Sequence, residues 1–165
     1  MRPPRVEPGP GQESVWDYPR PPVLAPTDLH VVIWFADVVV ADTRRAIRVL
    51  ETSQAPAWYL PEADIDPTCW QVNPTQRSWC EWKGQASYVD LIAGDQTSAA
   101  AGWTYPAPVP AFASIAGHVA FYRNRVSRAT VDGIDVNSND GDFYGGWITP
   151  EVVGPFKGGP GSRGW

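Results

Sequence analysis

Trp79-Cys80-Glu81-Trp82-Lys83-Gly84-Gln85-Ala86-Ser87-Tyr88-Val89-Asp90-Leu91 packs a thiol, an amine, three large aromatics and a glycine into one run that ends in a strand-like tail. Lys83 to Ile92 reads as the central strand of the molecule, stopped by Gly94-Asp95. If that strand is unbroken, side chains alternate between its faces. Lys83 then shares a face with Gln85, Ser87, Val89 and Leu91, while Trp82, Ala86, Tyr88 and Asp90 take the other. A glycine bulge at Gly84 would reverse that parity.

Working outward, His30 to Phe35 and Val38 to Asp42 are β-branched runs broken at Ala36-Asp37, the pattern of a hairpin. Arg44 to Glu51 is too short and poorly capped for a stable helix. Read as a strand, it places Ile47, Val49 and Glu51 on one face and Ala46, Arg48 and Leu50 on the other. Ala57 to Leu60 follows as a further strand, and Pro61 to Pro67 is an acidic loop. Thr97 to Ala101 is expected to form a helical turn, and Trp103-Thr104-Tyr105-Pro106 to open a proline-spaced loop. Gly117 to Arg123 is another strand, with Ser127 to Asp132 returning beside it into an Asp132-Gly133 turn.

The ends differ from the middle. Residues 1 to 14 are a proline-rich leader, expected to be disordered or extended and without the apolar core of a signal peptide. Trp16 to Pro22 is an extended segment expected to lie across the domain. From 141 to 165, Gly and Pro alternate with large aromatics, a composition that must wrap this domain or a partner. The β body therefore spans 15–140.

Composition fits this outline. The chain has 165 residues, enough for one domain burying about 70% of its unfolded surface. Its 18 Pro, 15 Gly and 9 Trp exclude a helical bundle and favour a mainly β fold of coiled antiparallel sheets with few short helical turns. A net charge of −5 argues against nucleic-acid binding, which needs Lys and Arg to neutralise phosphates. No apolar run is long enough to span a bilayer. Cys69 and Cys80 make neither a disulfide framework nor a paired metal knuckle, which points to a reduced, cytoplasmic setting.

Six segments resemble the domain-of-unknown-function 427 family, which is also catalogued under a nucleotidyltransferase name. They are Trp16 to Pro22, Ala41 to Thr52, Trp58 to Pro61, Cys80 to Tyr88, Trp103 to Pro106 and Ile115 to Tyr122, with the tail from Phe143 resembling longer members. The resemblance implies a small, mostly β domain of Mss4-like type, a partly open barrel, with no settled activity. This chain departs from the family pattern twice: Glu81 stands where proline usually follows the cysteine, and Val89 where an aromatic commonly follows the tyrosine.

Several residues carry possible chemistry, each with a plainer structural reading. An inward Lys83 would lose its charge easily and act as base or nucleophile; otherwise it snorkels to water. Glu51 is its natural partner, for proton transfer or simply to tie two strands. Arg48 would bind an anionic group from the other face, or remain solvated. Cys80, beside a cationic residue, is a reactive thiol or a small buried hydrophobe. His118, at the head of a strand, is a catalytic or a structural histidine. Trp58, Tyr59, Trp82, Tyr88, Trp103 and Tyr105 are core, or stacking surfaces for a planar ligand. Asp64-Ile65-Asp66 has the spacing of a metal pair but sits in a proline-bounded loop, and the glycine-rich run from Lys157 has no helix to follow it.

The leading expectation is an aromatic-lined pocket that binds a small molecule and acts on it without cofactor or metal. Lys83, Glu51 and His118 would be catalytic, and Arg48, Cys80, Trp82, Tyr88, Trp103 and Tyr105 ligand-binding. The alternatives are a non-catalytic binding or assembly module, including a homodimer, and nucleotidyl transfer.

Overall fold

The computed structural model describes residues 2–141 and 143–165. The first half carries strands β1 (Glu13–Ser14), β2 (Val23–Pro26), β3 (Val31–Phe35), β4 (Val38–Thr43), β5 (Ile47–Leu50), β6 (Ala57–Pro61), β7 (Trp70–Cys80) and β8 (Gly84–Ala93). The second half adds β9 (Gln96–Thr104), β10 (His118–Phe121), β11 (Arg128–Val131), β12 (Ile134–Asp135), β13 (Asn137–Ser138), β14 (Trp147–Ile148) and β15 (Val152–Val153). Helical structure among the described residues is confined to short 3-10 turns, the longest being Pro110–Ile115. The fold is mainly β, as the composition predicts, and its sheets are not closed into a barrel.

One antiparallel sheet runs β2-β5-β6-β10-β9-β8-β7. A second, β12-β11-β3-β4, covers one of its faces. Between them Trp58, Leu60, Val119 and Phe121 of the large sheet meet Val31, Ile33 and Val40 of the small one. Burying each such side chain contributes about 1.5–3 kcal/mol. The β3–β4 hairpin closes through Ala36 and Asp37, both at positive φ, as a two-residue turn of the twist-matched type requires.

Strict alternation in β5 and β6 assigns the faces. Trp58 and Leu60 point to the inter-sheet core, and Tyr59 to the opposite side. Ile47 and Val49 join Tyr59, whereas Arg48 takes the other face. The strand reading of Arg44 to Glu51 thus holds for Ile47–Leu50 with its predicted parity.

Two expectations need correction, and one strand goes unannounced. Thr97 to Ala101 is not a helical turn: it belongs to β9, which pairs with β8 at Gln96–Ser98 and again at Gly102–Thr104. A bulge at Ala100 (φ 48°) interrupts the register, and the Asp90 carboxylate holds it by accepting from the Ala100 N–H at 2.8 Å. Ser127 to Asp132 does not return beside Gly117 to Arg123. β10 inserts between β6 and β9, and a 3-10 turn at Arg123–Arg125 carries the chain across to pair β11 with β3. Finally, Trp70–Cys80 is a long strand that its residues do not announce. It lies on the sheet edge with Gln71, Val72 and the run 74–79 exposed, so no apolar period marks it. Pro74 is tolerated there because the register shifts between Val72 and Arg77.

The two ends of the chain meet. β1 pairs in parallel with β15, Val6 N–H donates to Gly154 O at 3.0 Å, and Trp16 Nε1 donates to Pro155 O at 2.8 Å. The tail continues along the domain's own surface. Trp147 is wholly buried, stacks on Trp58 and donates its indole N–H to Phe121 O at 2.8 Å.

Candidate functional site

On the face of the large sheet turned away from the small one, a hollow of about 540 Å³ opens between the sheet, the β7–β8 hairpin and the tail. Its floor is aromatic. Trp103 Nε1 donates to the Tyr59 hydroxyl at 2.9 Å, their rings meeting edge-on with centroids 6.1 Å apart. Tyr105 lies 6.4 Å from Tyr59, and Tyr122 packs 4.8 Å from Trp103. Burial pushes the Tyr59 and Tyr105 phenols well above the ordinary range, with the Cys80 thiol adding to both. Both rings therefore stay protonated hydrogen-bond donors.

The hairpin forms one wall. Cys80 pairs with Gly84 across a three-residue turn, Glu81-Trp82-Lys83. Gly84 has φ +110°, a conformation open to glycine and strained for other residues. Lys83 therefore precedes the strand instead of belonging to it, and the alternation expected of it does not apply. Past the glycine the alternation holds: Ala86 and Tyr88 face this side and Val89 and Leu91 the inter-sheet core. The Lys83 carbonyl accepts from Val109 N–H at 3.0 Å, which pins the turn to the segment before the Pro110–Ile115 turn. Its ammonium lies 5.7 Å from the Tyr105 ring centroid and 6.0 Å from that of Phe112. Tyr88 donates to Ser78 Oγ at 3.0 Å across the hairpin.

Glu51, just past β5, lines the opposite wall with Gln54 and Ala55. Lys83 and Glu51 thus share the hollow, yet they form no ion pair. Glu51 is taken by Arg20, whose Nε lies 3.5 Å from Oε2, and by Gln54 Nε2, which donates to the same oxygen at 2.9 Å. The Glu51 side chain is 12% exposed, so these bonds satisfy a carboxylate that would otherwise be costly to bury.

The third wall comes from the tail, through Phe143, Tyr144 and Lys157. Lys157 is only 9% exposed. Its N–H donates to Ser53 O at 2.7 Å, and its ammonium sits 5.1 Å from the Tyr144 ring centroid and 3.4 Å from Trp165 O. Gly145, at φ +65°, lets the tail approach: a Cβ there would stand 2.5 Å from Trp103 Cη2.

Of the residues expected at the site, Lys83, Glu51, Cys80, Trp82, Tyr88, Trp103 and Tyr105 line this hollow. Arg48 and His118 do not. Arg48 crosses to the other face, bonds Glu13 and faces Trp58 beside a smaller depression of about 250 Å³. Burial works against ionisation of Glu13, but bonds from Arg48 and Tyr18 hold its carboxyl below the ordinary value. His118 lies opposite Pro61 at the start of β10, its Nδ1 3.0 Å from Ala116 O. Asp64 is held by Arg45 and Thr43 and Asp66 by Thr68, as structural loop acids. No cluster of three His, Cys, Asp or Glu side chains suited to a metal ion occurs among the described residues. Nor is any helix among them long and apolar enough to cross a membrane. Tyr59, one of the aromatics weighed as core or stacking surface, belongs to the floor, whereas nothing in the sequence points to Gln54, Tyr122, Tyr144 and Lys157.

No curated protein matches the chain. The profile of a family described as a domain of unknown function (DUF427), whose short name abbreviates nucleotidyltransferase, matches residues 23–132. That span runs from β2 through β11 and contains the floor of the hollow and its hairpin wall. On this match the chain belongs to the DUF427 family.

Proposed function

We propose that the hollow binds a small organic molecule and that Lys83 is the residue through which the protein acts on it. The observation that carries this reading is the Lys83 amine: it lines an aromatic hollow of ligand size with no carboxylate in ion-pair range among the described residues. Surface lysines normally point to water, whereas this one lies over two rings. Glu51, already bonded to Arg20 and Gln54, is assigned a positioning role: it holds the wall opposite Lys83. Nuclear magnetic resonance titration of the isotope-labelled protein with small planar aromatic compounds is expected to move the signals of Cys80, Lys83, Tyr88 and Trp103 together. Once a ligand is turned over, Lys83→Ala should abolish turnover. Unchanged binding and turnover in that variant would reject the assignment.

A second reading, an assembly module, draws on β7. Its outer edge is unpaired among the described residues, and Trp79 stands 73% exposed beside it. Light scattering over a rising concentration series would support it by showing a dimer, and a constant monomer mass would reject it. Nucleotidyl transfer, suggested by the family's short name, draws little from these side chains, since Asp64 and Asp66 are already bonded within their loop. A melting temperature unmoved by nucleoside triphosphates with magnesium would dismiss it.

A further inference from the structure

We infer that the ligand of this hollow is a flat ring system bearing an oxyanion, a carboxylate or a phosphate, with the anionic group held by Lys157 and Lys83. The inference rests on the hollow being a ligand site and adds the chemistry of what it takes.

A donor and acceptor inventory of the walls supports it. Lys83 and Lys157 each carry three N–H donors and no acceptor. Among the described residues no Asp or Glu side chain lies within ion-pair distance of either, and the only hydrogen bond from the two ammoniums is the 3.4 Å contact of Lys157 to the carboxyl oxygen of Trp165, which Arg20 also reaches. The Tyr59 oxygen accepts from Trp103, which leaves its hydrogen to donate elsewhere. Against these stand few acceptors. The buried acid, Glu51, is occupied by Arg20 and Gln54, and Glu81 is exposed on the rim. A hollow with donors to spare and its inner carboxylate taken is completed by a ligand that brings oxygen acceptors and negative charge.

Lys157 makes the case sharper. Lys157 is 9% exposed as a residue, and its ammonium has one long hydrogen bond among the described residues, to a Trp165 oxygen; burying a charge with so few bonds is costly. Retaining such a group costs stability, which is the expected signature of a residue kept for binding. The rings of Trp82, Tyr88 and Trp103 supply flat apolar surface for the rest of the ligand.

The test uses one ring with four substituents: naphthalene-2-carboxylate, 2-naphthyl phosphate, 2-naphthamide and 2-naphthylmethylammonium. Each is titrated into the full chain by calorimetry. One or both anions should bind about tenfold or more tighter than the amide, and the cation weakest, because a hydrogen bond to a charged partner is the stronger kind. The two anions separate a carboxylate site from a phosphate site. Lys157→Met and Lys83→Met should each shrink the anion-to-amide ratio several-fold, while ligand-free Lys157→Met should melt no lower than the parent. Lys83→Met sits in a surface turn and keeps the test alive if the tail variant fails to fold. Equal affinity for anions and amide, or a ratio unmoved by Lys83→Met, overturns the inference and leaves the hollow standing as a ligand site. Binding of none of the four overturns both.

Discussion

The indole N–H of Trp103 donates to the phenol oxygen of Tyr59 across 2.9 Å, joining β9 to β6 over the intervening β10 at the floor of the hollow. Both residues are buried. Tyr59→Phe removes the acceptor and strands a buried N–H, which costs about 1–3 kcal/mol. Urea unfolding should show a lower midpoint at an unchanged slope. An unmoved midpoint would mean that the indole finds another acceptor.

Gly145 tests how the tail is seated. Alanine there would place a methyl against the Trp103 ring at a positive φ, combining strain with a clash. A loss of about 1–3 kcal/mol is expected, together with altered near-ultraviolet circular dichroism from the displaced indole. Parental stability and spectrum would show that the tail does not press on Trp103.

Arg20 and Glu51 form a pair whose buried member is the acid. Arg20→Met leaves the carboxylate with Gln54 alone and should lower stability by about 1–3 kcal/mol. Adding Glu51→Gln removes the charge and should restore part of the loss, a coupling that a double-mutant cycle measures directly. Strict additivity of the two changes would show that the bridge contributes nothing.

Three buried phenols set the alkaline limit. Tyr59 and Tyr105 are shifted upward by burial, and Tyr18 by burial and its bond to Glu13, from the ordinary value of 10.0. A folded-state value above the unfolded one supports the fold below the unfolded value and withdraws that support as pH rises, because only the unfolded chain then releases protons. Stability should therefore decline above about pH 10. Phenolate absorbance should rise for these residues together with unfolding. Full tyrosine ionisation in a still-folded protein would contradict their burial.

What the sequence discloses depends on whether a segment has two distinct faces. β3, β5, β6 and β8 each separate a core side from another side, so β-branched runs and alternation reveal them, down to the split of Tyr59 from Trp58 and Leu60. β7 has no such contrast, because its residues face water on both sides, and it escapes notice. Pairing partners are equally hidden: β10 lies between strands far from it in sequence, and nothing in Ser127 to Asp132 says that it crosses to the small sheet. At the site, residues borne by regular strands and by the Cys80-to-Tyr88 run were legible. Lys157 was not, because its position depends on the path of an aperiodic tail fixed by backbone bonds such as that to Ser53 O. Arg48 and His118 lie outside the hollow for a related reason. Residue type suggested chemistry, but the face and position of each strand decided where the side chain went.

The family match ends at residue 132, whereas Tyr144 and Lys157 stand beyond it. The floor and the hairpin wall of the hollow thus lie inside the matched span, and the tail wall lies outside it. A relative that keeps β2 through β11 but carries a different C-terminal extension would inherit the same aromatic floor and exchange one wall. Divergence in what such proteins hold needs no change to the sheets that hold it.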